Sequence, residues 1–301
     1  MKLSYSQFEV LTFIEKNNKG KFSQRELSDK IGLSLGTINK TISELTNDKY
    51  IKEEDQCFEI TDLGLKVLEP YRVKRAIFLA AGFGSRLVPI TFNTPKPLVR
   101  VNGVRMIETL LDAVVEAGIP ESVIVTGYLA EQFEVLKNKY KNITFIENKM
   151  YNEANNISSA YMVRDKLCNA YVMEADLCLY NKKLIRKYEY QSNFLGKYVD
   201  RTDDWCFETK NGYITKQKVG GINCYQMYGI SYYDEKDGKQ IKEDIEKVFN
   251  SPGGKEKYWE QVLLDVYKKN YKIAVRQCKE GDIIEIDTFN ELKQVDSVYD
   301  V

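Results

Sequence analysis

The sequence predicts an α/β fold in two domains, residues 1–72 and residues 73–301. The first 70 residues contain three short segments with helical periodicity, then a pair of short strands and a last helix. From about Lys74 onward, apolar strand-like runs alternate with helical stretches, which is typical of a Rossmann-like sheet that is mixed but mostly parallel. A chain of 301 residues is long for one domain and comfortable for two.

The elements of the first domain follow from helix-start and helix-stop signals. Apolar residues at helical spacing predict a helix over residues 5–17, and Ser23 with Glu26 forms a capping-box pattern that begins a second helix, ended by Gly32. The remaining elements are a helix that Ser34 begins, strands at Tyr50–Ile51 and Cys57–Ile60, and a helix over Asp62–Glu69 that Thr61 opens. This order is the winged helix-turn-helix plan, and the segment resembles the MarR-like winged helices of bacterial regulators.

The charge of the first domain leaves its partner open. Up to Pro70 it holds ten Lys or Arg against twelve Asp or Glu, and the face of its third helix offers Thr37, Asn39, Lys40 and Ser43. Non-specific attraction to phosphates needs clustered cations. DNA binding through residues 1–72 is therefore one hypothesis, beside dimerisation, positioning of the second domain and sensing of a ligand.

Composition excludes several kinds of chemistry. The chain contains no histidine, so a Ser-His triad, a histidine general base and a histidine metal ligand are all excluded. Its formal net charge is zero, so no global field recruits nucleic acid or an anionic membrane. The six scattered cysteines form no C-x-x-C pair, which argues against zinc and favours reduced thiols in a cytoplasm. The N-terminus lacks the apolar region of a signal peptide, and no apolar run reaches about 18 residues, so we predict a cytoplasmic protein with no membrane partner.

The second domain is predicted from buried strands and intervening helices. An apolar run, Ala76–Ala81, is typical of a buried parallel strand. The further strands are predicted at Ser122–Thr126, Thr144–Glu147, Ala170–Glu174, Tyr225–Ser231 and Lys272–Gln277, and the helices at Met106–Ala117, Ala130–Tyr140, Ser158–Leu167 and Lys257–Lys268. In such a sheet, the ligand binds beyond the carboxyl ends of the strands.

A glycine-rich loop follows the first apolar strand. Gly82 and Gly84 let backbone amides approach a phosphate, and Arg86 adds a bidentate donor. Ten residues further on, flanking prolines stiffen the turn that carries Lys96. The spacing matches neither a P-loop nor G-x-G-x-x-G, because Leu87 stands where the third glycine would be.

Two carboxylates are predicted at strand tips. Asp176 ends an apolar strand, and Asp287 ends an alternating strand that precedes a helix. Carboxylates in such positions can share a Mg²⁺ ion that also binds phosphate oxygens. The alternative for Asp287 is that it, or Thr288, caps the following helix. An acceptor that is itself a phosphate monoester is already ionised and needs no general base, which fits a chain without histidine.

The string from Leu79 to Thr91, followed by Pro95–Leu98, resembles the signature of nucleoside-triphosphate transferases of the sugar-phosphate nucleotidylyltransferase type. The resemblance implies that the loop cradles the triphosphate, that Lys96 contacts its phosphates and that the two aspartates bind the metal. It assigns catalysis to Arg86, Lys96, Asp176 and Asp287, and nucleotide binding to Leu79, Ala81, Gly82, Gly84, Ser85, Arg86 and Lys96.

Within these transferases, the chain from Lys74 onward looks most like the bacterial CTP:phosphocholine cytidylyltransferases. The matching stretches are Val125–Tyr128, Asn155–Ser159, Thr202–Trp205, Gly229–Tyr232, Tyr258–Glu260 and Glu285–Asp287. The resemblance implies CTP and phosphocholine as substrates and CDP-choline and pyrophosphate as products. It adds weaker nucleotide contacts at Gly127, Tyr128, Asn155, Asn156 and Ser158.

The acceptor's head group can be argued from its chemistry. A quaternary ammonium donates no hydrogen bond and is held against aromatic faces, helped by a nearby carboxylate. A cage of this kind is predicted from Trp205, Tyr232, Tyr258, Trp259 and Glu260. The alternative for Trp259 is ordinary core packing. The acceptor could instead be 2-aminoethylphosphonate, phosphoethanolamine or a sugar 1-phosphate. A different alternative is a DNA-binding regulator whose transferase domain senses nucleotide or choline phosphate. Whether the protein forms an oligomer is also left open.

Overall fold

The fold is described from a computed structural model of the chain, which describes residues 2–300. Contacts between residues divide the chain into two compact units, with the division between Arg72 and Val73.

The first unit is a winged helix-turn-helix, as the sequence predicts. Its elements are α1 (Tyr5–Lys16), β1 (Gly20–Lys21), α2 (Gln24–Ile31), α3 (Leu35–Asn47), β2 (Ile51–Glu54), β3 (Cys57–Ile60), α4 (Asp62–Leu68) and a 3₁₀ turn (Glu69–Tyr71). The strands form an antiparallel sheet in the order β1-β3-β2. The strand predicted at Tyr50–Ile51 continues through Glu54, so Glu53 and Glu54 belong to the strand.

Local capping fixes the helix boundaries of this unit. The Ser23 hydroxyl accepts from the Glu26 amide while Glu26 accepts from the Ser23 amide, so α2 begins with a complete capping box. Gly32 ends α2 with a left-handed φ of 77°. Ser34 and Thr61 cap α3 and α4 in the same way that the sequence predicts.

The second unit is built around a seven-stranded sheet. The strands of the unit are β4 (Arg75–Ala80), β5 (Arg100–Val101), β6 (Val104–Arg105), β7 (Glu121–Thr126), β8 (Ile143–Glu147), β9 (Ala170–Glu174), β10 (Leu177–Leu179), β11 (Asn193–Lys210), β12 (Tyr213–Tyr233), β13 (Ala274–Gln277) and β14 (Ile283–Glu285). The pairs β5–β6 and β10–β14 lie outside the seven-stranded sheet. Its α-helices are α5 (Met106–Glu116), α6 (Ile157–Met162), α7 (Glu235–Phe249) and α8 (Phe289–Val295). Short stretches of 3₁₀ or π-helix lie at Ser85–Leu87, Ile90–Phe92, Lys96–Leu98, Ala130–Asn138, Arg164–Lys166, Lys182–Leu184, Val262–Val266, Lys268–Asn270 and Ser297–Tyr299.

The order of the strands places one crevice at the carboxyl edge of the sheet. The order is β11-β13-β12-β9-β4-β7-β8, and β9, β4, β7 and β8 run parallel to one another. β12 lies antiparallel beside β9. The loops that follow β4, β7 and β9 therefore meet at the same edge, as expected for a mostly parallel α/β sheet.

Two hydrophobic layers cover the sheet. Alternate residues of β4 point to opposite faces, with Phe78 in one cluster and Ile77 in the other. Helix α5 packs on the first face through residues such as Leu110, and α7 packs on the second through Ile241 and Ile245. None of the helices within residues 2–300 has the length and apolar character that a bilayer crossing requires.

Several elements of the second unit differ from the predictions. β12 is three times longer than the strand predicted at Tyr225–Ser231, and it pairs with β11, which was not predicted. Helix α7 was also missed. The helices predicted at Ala130–Tyr140 and Lys257–Lys268 are 3₁₀ and π turns over Ala130–Asn138 and Val262–Val266. Much of the middle of β11 is exposed, so its sequence lacks the apolar alternation that marks a half-buried strand.

Candidate active site

The glycine-rich loop adopts a conformation that only small residues permit. Gly84 has a φ of 69°, and a Cβ there would lie 2.9 Å from the Lys96 Cβ. The Thr91 hydroxyl donates to the Gly84 carbonyl over 3.0 Å and fixes the turn. Beside Gly82, by contrast, a Cβ would meet nothing within 4 Å, so this stretch of backbone faces open space. Ser85, which follows Gly84, is also exposed. The loop is therefore held from behind and open in front.

Lys96 lies at the centre of an ion-pair cluster. Its Nζ lies 2.7 Å from Asp176 Oδ2 and 2.9 Å from Asp287 Oδ1, and Arg86 Nη2 also lies 2.9 Å from Asp287 Oδ1. Burial lowers the pKa of the Lys96 ammonium, but the two carboxylates outweigh burial and hold that pKa above its ordinary value. The lysine is therefore a permanent cation, and all four predicted catalytic residues lie together.

Strand pairing explains how the two aspartates meet. Asp176 follows β9, and the chain then enters β10, which pairs antiparallel with β14 so that Leu177 faces Glu285. Asp287 lies two residues beyond the end of β14. The alternative of a helix cap falls to Thr288, whose hydroxyl accepts from the Glu291 amide in a capping box. The Asp287 side chain is left to contact the two cations.

A cavity of about 450 Å³ opens beside this cluster. Half of its lining residues are carboxylates, and two aromatic rings form part of its wall. The lining residues are Arg86, Glu174, Asp176, Asp204, Trp205, Gln217, Met227, Gly229, Tyr258, Glu260, Glu285 and Asp287. The cavity therefore suits a cation, while the adjoining loop suits an anion.

Three cavity carboxyls have perturbed acidity. Burial, with the charges of Glu260 and Asp176, raises the pKa of Glu174 well above its ordinary value. Burial, with the charge of Asp176, raises the pKa of Glu285 to about 8. Burial raises the pKa of Glu260 to about 7. Carboxyls that share a confined space resist full ionisation, and a bound cation relieves their repulsion.

Several cavity residues were not predicted as site residues. They are Glu174, Asp204, Gln217, Met227, Gly229 and Glu285. A signal was present for two of them, because Glu174 and Glu285 each stand two residues before a predicted aspartate, and alternate residues along a strand share a face. Gly229 makes room for the Glu174 side chain, because a Cβ at this position would lie 2.3 Å from Glu174 Oε2.

The structure divides the predicted head-group cage. Trp205 and Tyr258 line the cavity with their rings edge-to-face at 5.8 Å, and Glu260 lines it beside them. Trp259 and Tyr232 do not line it, so the structure does not bring these two residues to the predicted cage. Trp259 is 2% exposed and stacks on Phe194 in the core. Tyr232 is also fully buried, and its hydroxyl donates to Asn169 Oδ1. Both rings serve the hydrophobic layers instead.

The predicted nucleotide residues fall into two sets. Leu79, Ala81, Gly127 and Tyr128 lie at the carboxyl ends of β4 and β7, where the Tyr128 amide donates to the Ala81 carbonyl over 3.0 Å. A Cβ on Gly127 would lie 2.8 Å from that carbonyl, so glycine lets the two strand ends approach. The Tyr128 ring packs edge-to-face on Phe83 of the loop.

Asn155, Asn156 and Ser158 have structural partners instead. Asn155 Nδ2 donates to the Glu256 carbonyl, and Asn156 Oδ1 accepts from the Trp259 amide over 2.8 Å. Ser158 is fully buried and its hydroxyl donates to the Asn155 carbonyl. None of the three lines the cavity. Asn155 and Asn156 anchor the segment that carries Tyr258 and Glu260, and nucleotide contact by the three residues stays a prediction.

The residues predicted to hold a metal ion are the two aspartates. Within residues 2–300, no three His, Cys, Asp or Glu side chains form a group arranged to hold a metal ion. Asp176 and Asp287 nevertheless converge on a single ammonium, so their carboxylates lie close enough to face a common cation. Mg²⁺ characteristically takes one or two protein carboxylates and completes its shell with water and substrate phosphates. The donor set therefore fits Mg²⁺ once a nucleotide supplies phosphate oxygens.

An open phosphate loop, a buried lysine and paired aspartates at the carboxyl edge of a mostly parallel sheet define an enzyme that transfers nucleotidyl groups. Comparison with known proteins agrees. Residues 75–205 match the family model described as nucleotidyl transferase, and residues 3–52 match one described as winged helix-turn-helix DNA-binding.

Known relatives narrow the class further. A 2-aminoethylphosphonate cytidylyltransferase from Lancefieldella rimae is 34% identical over 228 residues, covering 74% of this chain and 92% of the relative. A choline-phosphate cytidylyltransferase from Streptococcus pneumoniae is 34% identical over 230 residues, covering 74% and 97%. The solved CTP:phosphocholine cytidylyltransferase from Streptococcus pneumoniae aligns with a TM-score of 0.70 and 31% identity, over 75% of this chain and 99% of that one. The chain belongs to the nucleotidyl transferase family, in its group of cytidylyltransferases.

We predict that Lys96→Met lowers kcat by about 10²–10³, the usual effect of removing a preorganised charge-stabilising donor. Pyrophosphate release at saturating substrates measures the effect. Lys139→Met is the control, because Lys139 pairs with Asp112 at 2.8 Å and neither residue belongs to the ion-pair cluster at Lys96. A Lys96→Met enzyme with a kcat within threefold of the unmodified chain would contradict the role of the cluster.

Proposed function

We propose that the enzyme converts CTP and phosphocholine to CDP-choline and pyrophosphate. The observation that carries this proposal is the cavity, which places two aromatic rings and six carboxylates beside a phosphate loop. Phosphocholine is a zwitterion whose two ends match these two surroundings. The cytidylyltransferase relatives support CTP as the donor.

The phosphate end of the site prepares the reaction. The backbone around Gly82 and Gly84, with Arg86 and Lys96, receives the triphosphate and offsets its charge. One acceptor phosphate oxygen attacks the α-phosphorus in line, the new P–O bond forms, and the bond from the α-phosphorus to the bridging oxygen breaks to release pyrophosphate. Positioning and neutralisation of charge supply the catalysis, since the acceptor phosphate is already an anion.

We further propose Mg²⁺ as the metal, held by Asp176 and Asp287. When bound, Mg²⁺ would neutralise charge on the phosphates. In the structure the Lys96 ammonium lies between the two carboxylates, so nucleotide phosphates that draw Lys96 toward them would leave the aspartates able to take the ion.

The head-group end of the site holds a cation without needing hydrogen bonds. Trp205 and Tyr258 present aromatic surfaces, Tyr258 being 43% exposed, and Asp204 and Glu260 line the same cavity. A trimethylammonium group is stabilised by ring faces and by nearby negative charge.

The direct test is a pyrophosphate-release screen of the four nucleoside triphosphates against phosphocholine, phosphoethanolamine and glucose 1-phosphate with Mg²⁺. We expect CTP with phosphocholine to be a productive pair and the hexose phosphate to be inactive. Release with the hexose phosphate alone would assign the enzyme to a sugar 1-phosphate. No release with any amino-alcohol phosphate would reject the proposal.

We predict a separation of effects between the two tryptophans. Trp205→Ala should raise KM for phosphocholine about tenfold, because a partly desolvated cation–π contact contributes about 1–2 kcal/mol, while KM for CTP and the free energy of unfolding change little. Trp259→Ala is the control and should lower the free energy of unfolding by about 3–5 kcal/mol through a core cavity. Steady-state kinetics and denaturant titration measure the two effects, and equal kinetic effects would argue against the cage.

We predict that the affinity for phosphocholine rises with pH around neutrality. Burial raises the pKa of Glu260 to about 7, so this carboxyl is neutral below that pH and negative above it, when it attracts the head group. KM for phosphocholine should fall as the pH increases from about 6 to 8. Because the substrate phosphate also titrates near 6, Glu260→Gln provides the baseline, and an identical pH profile in that variant would contradict the role of Glu260.

A second function, DNA binding by the first unit, is favoured by the winged helix-turn-helix match. The exposed face of α3 carries Asn39, Lys40 and Ser43, whereas Glu53, Glu54 and Asp55 give the wing an acidic tip. Fluorescence anisotropy with DNA from upstream of its own gene tests this role. Binding that weakens as salt increases would support it, and flat titrations at low salt would remove it.

A further inference from the structure

The head-group cavity contains a hydrogen-bond acceptor that a trimethylammonium group cannot use. Gln217 is 6% exposed and lines the cavity. Its Nε2 lies 3.8 Å from the Met227 sulfur, while its buried Oε1 accepts no hydrogen bond from the residues that the structure describes. Buried carbonyl oxygens without a partner are uncommon because losing water without a replacement is unfavourable. The unpaired oxygen therefore indicates a ligand that brings a donor.

Strand pairing places Gln217 beside the aromatic wall. In the β11–β12 hairpin, Gln217 faces Phe207 and Val219 faces Trp205, so Gln217 and Trp205 lie two residues apart along the same ladder. The last torsion of a glutamine side chain has broad wells, so rotation about it can reorient the Gln217 amide. Glu174 and Glu260, which line the same cavity, provide further acceptors.

We infer that Gln217 determines the head-group specificity of this enzyme by accepting an N–H bond from an ammonium that carries hydrogen. This inference rests on the proposed function, because the same cavity must hold the head group. The rings of Trp205 and Tyr258 attract any ammonium, methylated or not. Gln217 adds an interaction that only a primary, secondary or tertiary ammonium makes, so the pocket takes aminoethyl phosphates as well as phosphocholine.

The test uses four acceptors that differ only in methylation: phosphoethanolamine, its N-methyl and N,N-dimethyl derivatives, and phosphocholine. The full chain, Gln217→Leu, Gln217→Glu and Gln226→Leu are compared by kcat/KM with CTP. Leucine removes the acceptor, and glutamate keeps a carboxyl oxygen at the same place. Gln226 lies in the same hairpin, pairing with Lys197, and does not line the cavity, so it controls for hairpin packing.

We expect the full chain to use phosphoethanolamine. Gln217→Leu should lower the ratio of kcat/KM for phosphoethanolamine to kcat/KM for phosphocholine at least tenfold. The reason is that a site built to hydrogen-bond a group loses selectivity when its acceptor is removed. The ratio should stay within threefold in Gln217→Glu and Gln226→Leu. An unchanged ratio in Gln217→Leu, or no turnover of phosphoethanolamine by the full chain, would overturn the inference while phosphocholine turnover upheld the proposed function. No turnover of any of the four acceptors would reject both.

Discussion

The ion-pair cluster at Lys96 is the interaction on which the rest of the active site depends. One ammonium joins carboxylates that lie 80 and 191 residues further along the chain. Three segments of the second unit, the turn before β5, the end of β9 and the end of β14, are fixed by this contact. Removing one partner of a mostly buried ion pair leaves an uncompensated charge, which is costly. The cluster therefore holds the aspartates at one point before any substrate binds.

The cluster also separates two electrostatic surroundings. In the proposed function, Lys96 and the open glycine backbone receive the phosphates, with Arg86 at the border of the cavity. The buried carboxyls and the Trp205–Tyr258 ring pair receive the cation. Glu174 and Glu285 retain protons more strongly than exposed glutamates because burial and neighbouring charge raise the pKa of each. A small zwitterion with a phosphate at one end and an ammonium at the other satisfies both surroundings at once.

Residues with a strong local signature could be predicted from the sequence. The glycine loop, Lys96 and the helix caps depend on backbone conformation and spacing, and each of the two aspartates stands two residues beyond the end of a strand. The residues of the head-group cavity depend on tertiary pairing. Core packing was the alternative expected for Trp259, but the sequence could not decide between the core and the cavity wall, because each tryptophan stands beside an acidic residue.

The β11–β12 hairpin was the largest element that the sequence concealed, and it carries Trp205, Gln217, Met227 and Gly229. Its pairing contains several register shifts, so no fixed alternation marks its faces. Helix α7 was missed for a different reason: its few apolar residues are spaced for burial, but most of the segment is charged. In both cases long-range packing, rather than local preference, decides the structure.

The central claim is that one cavity holds the head group while the loop beside it holds the phosphates. The most direct measurement is a crystal structure of the full chain with CDP-choline and Mg²⁺. We expect the trimethylammonium group against Trp205 and Tyr258 inside the carboxylate-lined cavity, with the diphosphate near Lys96 and Arg86. A choline group bound outside this cavity, or a diphosphate away from Lys96, would contradict the account.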